Sequence, residues 1–514
     1  MTVPADAPAV PRRPGARIAP LLDVAALFGG RVGGIVVTLL FIPRYHALLG
    51  GSTFGAVSIV LSLQAFFLVS DLGLATLISR DTAIARGDAA ALTRVVWMRR
   101  RAEALLVAIA VAIGAIGLLW PLVSPDRFSG WSFEDGVNVA MIAPLVMALV
   151  GINIVQLSMN ALGAYRASAA TAVIGAIARA GATVAVLTLV PTLRAFLVAQ
   201  LMLALVHLVG VRWMLERSCG PARWQEPLFQ RGAIADLLRR CVPLTVYTLA
   251  SAAAVNLDKT IVSGFISLET AGSYFLATTY AMVPIAVLSG PINSYFAPRV
   301  AHARHAGDEA GENRLALLFQ TVLMCAVVGP SLSLGLQIHD WLPLWLRSAS
   351  GIDQIATIAP ILLAGGALSA SGFYPTTRLI AGGDHNYLAK LSFACGVAVL
   401  VAAAWFASRG DLIGVAWSYF AFYAAGFAGL WLRLGHVAGW RWLTRFLAAS
   451  YAVPAAVIAL SYLLVYAGTR SSPWSIAFAL PTTAAALASL AILAGLFVHL
   501  RPKMRCARQQ EQTR

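Results

Sequence analysis

In this chain of 514 residues, 59% are hydrophobic and only 12% are charged. Apolar runs long enough to cross a bilayer recur along nearly its whole length, which predicts a polytopic membrane protein and excludes an ordinary water-soluble domain. The net charge of +16 comes from 38 Lys and Arg against 22 Asp and Glu, and without a soluble domain to carry a basic face it does not indicate a nucleic-acid partner.

Residues 1–20, "MTVPADAPAVPRRPGARIAP", are too broken by proline for a signal peptide and read as a disordered cytoplasmic tail. Fourteen spans follow, at 21–42, 54–78, 102–123, 137–161, 168–190, 195–215, 242–265, 271–297, 314–336, 354–374, 388–408, 411–432, 446–467 and 475–499. Each has about the 20 residues that a helix needs to cross about 30 Å of hydrocarbon. With the N-terminus inside, the inner segments hold 29 of the 38 basic residues and the outer loops 6. That asymmetry places both termini in the cytoplasm. Five scattered cysteines (Cys219, Cys241, Cys325, Cys395, Cys506) form no CxxC pair, so neither a disulfide framework nor a zinc site is indicated. No cofactor or metal is expected.

The chain contains a repeat. Gly55 matches Gly272 and Gly73 matches Gly290 at an offset of 217, and each stretch closes on a basic loop ending Gly-Asp, Gly87-Asp88 and Gly307-Asp308. The expected fold is therefore all-α, with two pseudo-symmetric six-helix lobes around a central cavity and two extra C-terminal helices. The boundaries are an N-lobe at 21–215, an inter-lobe linker at 216–241, a C-lobe at 242–434, helices 13 and 14 at 435–500 and a basic tail at 501–514. Because each lobe has an even number of spans, the repeat is parallel, as in transporters whose halves rock about a cleft.

The stretch "LLGGSTFGAVSIVLSLQAFFLVSDLGLATLISRDTA", from Leu48, resembles the LG-x-x-x-FG … DLG-x-x-x-x-x-x-R signature of polysaccharide-export proteins. These are the O-antigen (Wzx-type) flippases of the multidrug/oligosaccharidyl-lipid/polysaccharide exporter superfamily. "NLDKTIVSGFISLETAGSYFLA", from Asn256, is similar to the family's seventh-helix pattern, and "RLIAGGDHNYLAK", 378–390, to its loop after helix 10. In that loop, Gly383-Asp384 stands where Gly-Arg or Gly-Lys is more usual. The resemblance covers roughly residues 20–435. It implies a flippase that moves undecaprenyl-pyrophosphate-linked oligosaccharide between the leaflets of the bacterial inner membrane. The implied partners are that lipid-linked substrate, the surrounding membrane lipids and a polysaccharide polymerase or other biosynthetic protein.

Five ionisable residues fall inside predicted spans, where charge is costly and usually faces a bundle interior: Arg31, Asp71, Arg179, Asp258 and Lys259. Arg31, Arg179 and Lys259 are the expected substrate-binding cations, since guanidinium donates paired, charge-assisted hydrogen bonds to phosphate oxygens. Structural pairing, or snorkelling in the case of Lys259, is the alternative. Asp71 and Asp258 are the expected gating or ion-coupling groups, Asp71 through a contact with Arg80; the alternatives are plain solvation for Asp71 and structural pairing with a basic group on another helix for Asp258. Asp258 is expected not to neutralise its neighbour Lys259, because adjacent helical residues point about 100° apart. Around Arg31, "FGGRVGGIV" contains two GxxxG patterns suited to close helix packing. The triplet Arg99-Arg100-Arg101 is expected to anchor the third span at the headgroups, and Trp341 and Trp345 to mark the outer interface.

Rival functions are a peptidoglycan lipid-precursor flippase, a multidrug exporter of the same superfamily and, more remotely, a membrane glycan polymerase or ligase. The longest outer segments, 124–136 and 337–353, offer few acid, base or metal-ligand residues for the last of these.

Overall fold

The computed structural model describes residues 19–69, 74–85, 88–123, 133–219, 252–347, 351–469 and 474–512, with isolated positions 232 and 249. Among these the chain is helical throughout, with no strand. Thirteen helices are long and apolar enough to span a membrane. The remaining predicted span, 242–265, is described from residue 252 and at position 249, and the basic inter-lobe linker and N-terminal tail lie largely outside the described residues.

The first group comprises α1 (Ala19–Leu49), α2 (Gly51–Val69), α3 (Leu74–Ile84), α4 (Ala89–Val123), α5 (Phe133–Ala161), α6 (Tyr165–Leu189) and α7 (Leu193–Cys219). Here α4 and α7 both pack on α5, and α1 packs on α6. Gly30 and Gly33 provide the second contact: a methyl on either would meet Ala169 or Val173 at 2.7–2.8 Å. Two of the four glycines around Arg31 thus admit α6, while Gly29 and Gly34 face open space.

The second group begins with a helical stretch at 252–256, a bend at Leu257 and α8 (Asp258–Phe265). Then come α9 (Leu268–Pro284) and α10 (Gly290–His305), joined through a π-turn at Ile285–Ser289 into one span of 38 residues. The group is completed by α11 (Glu309–Leu336), α12 (Ile338–Leu346), α13 (Ile352–Ser371), α14 (Phe373–Ala381), α15 (His385–Ala407) and α16 (Leu412–Ala438). The last two spans are α17 (Trp440–Leu447), continued through a second π-turn into α18 (Val453–Thr469), and α19 (Trp474–Gln512). They pack on α11 through a small cluster of Cys325, Ile458, Tyr462 and Ala485. The predicted outer loop 337–353 is mostly the helix α12.

The repeat has a physical meaning. Asp88 Oδ1 accepts from the Ala90 and Ala91 amides at 2.9 and 3.1 Å, and Asp308 Oδ1 accepts from the Gly311 amide at 2.8 Å. The Gly-Asp that closes each basic loop is thus the start of the next helix, with the carboxylate satisfying amides that have no intrahelical partner. Of the two repeated glycine pairs, Gly55 and Gly272 meet, while Gly73, the match of Gly290, lies outside the described residues. Gly272 approaches so closely that its Cβ would lie 3.3 Å from Gly55 Cα, and a methyl on Gly55 would overlap the Leu268 carbonyl oxygen. This glycine contact lets α2 and α9 lie backbone to backbone and closes the seam between the groups. Beside it, Trp345 Nε1 donates to the Leu39 carbonyl at 2.9 Å, tying α12 to α1.

The opposite ends of the groups are held by ion pairs. Arg99 pairs with Glu103 (3.3 Å) and Glu216 (3.4 Å), Arg100 with Glu216 (3.4 Å), and Arg212 with Glu103 (3.2 Å) and Glu216 (3.1 Å). In the second group, Glu312 takes Arg304 at 3.2 Å and Arg378 at 3.0 Å, and Arg378 also lies over the Trp442 ring at 4.5 Å. Asp384 of the 378–390 motif accepts from Arg433 Nε at 2.6 Å. The expectation for the arginine triplet is corrected for two of its members. Arg99 and Arg100 sit inside α4 and are buried, because Glu216 of α7 offers them a partner that headgroups would otherwise supply.

Candidate functional site

Of the five intramembrane charges singled out in the sequence, three have described side chains. Arg31 is a residue of α1 whose side chain lies outside the described set, and Asp71 lies outside the described residues altogether.

Asp258 and Lys259 are both buried, and Lys259 Nζ stands 2.8 Å from Asp258 Oδ1. The expectation that Asp258 would not neutralise its neighbour is therefore wrong: the reach of the flexible lysine chain closes the angle between adjacent helical residues. Asp258 is the first residue of α8 after the bend at Leu257, and the long lysine chain turns back to donate to the Val255 carbonyl at 3.2 Å. The positive end of α8 favours a carboxylate there. Tyr274 of α9 and Tyr419 and Tyr423 of α16 lie within electrostatic reach of Asp258. Tyr419 donates its hydroxyl to the Ala254 carbonyl at 2.8 Å, fixing the bend from the other side. Snorkelling of Lys259 is not seen, since its ammonium points into the protein.

Arg179 is solvated differently. It is half-buried in α6 and forms no ion pair among the described residues, and its Nη1 is buried with no hydrogen-bond partner. Its electrostatic neighbours are the Tyr45 hydroxyl on α1 and the His207 imidazole on α7. Gly175, one turn earlier on the same face of α6, makes room for that ring, which a methyl at Gly175 would overlap. Both His207 ring nitrogens are buried without a hydrogen-bond partner, the Thr171 backbone being in electrostatic reach but outside hydrogen-bond geometry. Tyr45 is held by an edge-on contact with Phe196 at 5.5 Å and a long hydrogen bond of 3.5 Å to the Ala180 carbonyl. Nearby, Gln200 Nε2 donates to Thr183 Oγ1 at 3.1 Å.

His207, Tyr45 and the three tyrosines around Asp258 were not among the residues expected from sequence. A lone histidine in "LMLALVHLVGV" was the signal for the first, by the same rule of cost that marks Arg179. The outer tryptophans are engaged within the protein: Trp341 Nε1 donates to Ser333 Oγ at 3.1 Å and Trp345 to the α1 backbone.

A family profile described as polysaccharide biosynthesis protein matches residues 47–328, more than half of the chain. No curated protein sequence matches it. Among solved structures, one titled as the lipid II flippase MurJ in an inward closed conformation superposes with a TM-score of 0.64 at 12% identity, covering 93% of this chain and 99% of that one. An inward-facing multidrug resistance MATE family transporter of the MOP superfamily gives 0.57 at 16% identity, covering 79% and 95%. A MOP superfamily transporter from Pyrococcus furiosus gives 0.55 at 14%, covering 83% and 96%. The fold is that of these membrane transporters.

Proposed function

Because the chain belongs to the polysaccharide biosynthesis protein family, we propose that it is a flippase for lipid-linked oligosaccharide. It carries undecaprenyl-pyrophosphate-linked sugar across the bacterial inner membrane, with both termini in the cytoplasm, for cell-surface polysaccharide such as O-antigen or exopolysaccharide. The observation that carries this reading is Arg179. An unneutralised guanidinium at membrane depth, with a buried donor unpaired, is costly to maintain, and a pyrophosphate is the ligand whose oxygens match it. His207 beside it supplies a second group able to donate to an anion.

In this reading the lobes at 21–215 and 242–434 rock about the Gly55–Gly272 seam. Arg31 adds positive charge to the path through the N-lobe. Lys259 meets the headgroup when the Asp258 pair opens, and Asp258 and Asp71 serve coupling or gating. A peptidoglycan-precursor flippase is the second reading. It is favoured by the reach of the MurJ likeness, whose 93% coverage extends into the two C-terminal helices.

The test is transfer of a fluorescent undecaprenyl-pyrophosphate oligosaccharide in proteoliposomes, comparing wild type with Arg179→Ala and His207→Ala. Loss of transfer in variants that keep their melting temperature supports the reading. Undiminished transfer in Arg179→Ala removes its main support, and absence of transfer by wild type refutes it for that cargo. Lipid II as the alternative cargo separates the two readings.

A further inference from the structure

The C-terminal spans leave the second lobe through an elbow. Gly439, at a φ of +91°, ends α16 and turns the chain into α17. From Trp440 to Thr469 the chain forms one candidate span of 30 residues, about 45 Å of helix against about 30 Å of hydrocarbon. Arg441 and Arg445 mark α17 as the end that projects beyond the hydrocarbon, where charge carries little cost. Leu443 and Phe446 bury one face of α17 in the cluster that holds Phe319, Tyr374 and Trp431, and Trp442 Nε1 donates to Asn313 Oδ1 at 3.1 Å. The opposite face presents Trp440, Arg441, Thr444 and Arg445, all exposed. Neither arginine has an ion pair among the described residues: Glu312, next to Asn313, is shared by Arg304 and Arg378, and Asp384 is taken by Arg433. Within about three turns on either side the surface is apolar and exposed, with Leu432 and Val437 on α16 and Val453 and Val457 on α18.

We propose that the exposed face of α17 binds the headgroup of an anionic phospholipid, with the phosphate at Arg441 and Arg445 and the acyl chains along the apolar residues that flank the elbow. Arginines four apart on a helix stand about 6 Å from each other, close enough for both guanidiniums to donate charge-assisted hydrogen bonds to one phosphate. Trp440 lies beside them, at the level where an indole favours the membrane interface. Charge complementarity selects an anionic over a zwitterionic lipid, whose ammonium would oppose the two arginines. The bound lipid acts on the fold through Trp442, which touches α11 at Asn313 and carries the Arg378 guanidinium over its ring. It thereby fixes the depth of the C-terminal spans against the second lobe. The site is separate from Arg179 and holds whatever the protein transports.

The test uses the full-length protein in phosphatidylcholine nanodiscs containing a trace of phosphatidylglycerol with a diazirine in its acyl chain near the glycerol, photocrosslinked and mapped by mass spectrometry. Wild type is expected to label at α17 and its apolar flanks. The double variant Arg441→Gln with Arg445→Gln is expected to cut that labelling about tenfold, the effect of losing about 1.4 kcal/mol. Arg409→Gln, in the turn before α16 at the other end of the bundle, is expected to leave it unchanged, and melting temperatures check that both variants fold. A phosphatidylcholine probe with the same diazirine, which needs no variant, is expected to label α17 at least about fivefold less. Equal labelling by the two probes, labelling untouched by the double variant, or labelling spread evenly over α15, α16 and α18 overturns the proposal. So does displacement by inorganic phosphate as effective as by unlabelled phosphatidylglycerol, or crosslinking between two copies through Thr444→Cys in place of lipid labelling.

Discussion

Arg179 and Lys259 are cations at membrane depth, one in each lobe, and the protein solvates them in opposite ways. Lys259 has its carboxylate next door, is buried with it, and spends another hydrogen bond on the Val255 carbonyl. Arg179 has a tyrosine hydroxyl and an imidazole for neighbours and no carboxylate among the described residues. A buried pair that neutralises itself is a structural element first, because opening it exposes two charges at once. A half-buried cation with a free donor is already prepared for an anion that arrives from outside.

The sharpest way to break this comparison is Asp258→Ala. It strands the buried ammonium of Lys259 and is expected to cost about 3–5 kcal/mol of stability, read as a large fall in melting temperature in detergent. Replacing both residues, as Asp258→Leu with Lys259→Met, should recover most of that loss, since a buried pair contributes little net against apolar residues of similar volume. A double variant no more stable than Asp258→Ala would show that the pair is not self-contained.

Next comes Glu312→Ala, which leaves Arg304 and Arg378 without their shared carboxylate. The side chain is only 7% exposed, and the expected cost is about 2 kcal/mol, in the range of hydrogen bonds to charged groups. Glu216→Ala in the first lobe, where the side chain is 37% exposed, should cost less than half as much, because water replaces the lost partner. Equal losses would mean that the two ion clusters are equally shielded.

Trp345→Phe removes one hydrogen bond across the seam, about 1 kcal/mol. A cysteine placed at Ser273, in the seam pocket, should then be labelled about fivefold more readily by a water-soluble maleimide. The smallest stability effect is expected for Arg179→Met, within about 0.5 kcal/mol of wild type, although the same change should abolish transfer. A loss of stability as large as that of Asp258→Ala would erase the distinction between the lobes and make Arg179 a structural group.

Much of the fold could be read directly. Apolar runs gave the spans, and the aspartates of the Gly-Asp repeats turned out to be helix caps. What escaped was tertiary. Glu216 is 117 residues from Arg99, so nothing local marked Arg99 and Arg100 as buried rather than lipid-anchored. The Asp258–Lys259 pair was missed because the angle of about 100° between adjacent helical residues was weighed without the reach of the lysine chain, which brings Nζ to 2.8 Å from Oδ1 within one helix. Arg179 was visible because charge in an apolar run is rare. His207 was equally rare, and its neighbour became apparent only when Gly175 and the packing of α6 on α7 placed the ring beside the guanidinium.

The contact of Gly55 with Gly272 has one more consequence. Two positions matched by the repeat touch each other across the seam, as equivalent residues do at an isologous interface, the kind made when two identical subunits dimerise. In such a dimer any side chain gained at that glycine would collide with its own copy, and the interface would tolerate nothing larger on either side at once. Joining the halves into one chain removes that constraint. The leftover asymmetry is already visible: a methyl on Gly55 would overlap a backbone carbonyl, while one on Gly272 would meet the Phe54 ring at 3.1 Å and Gly55 Cα at 3.3 Å. Gly272 is therefore the side on which a single-chain protein can vary first.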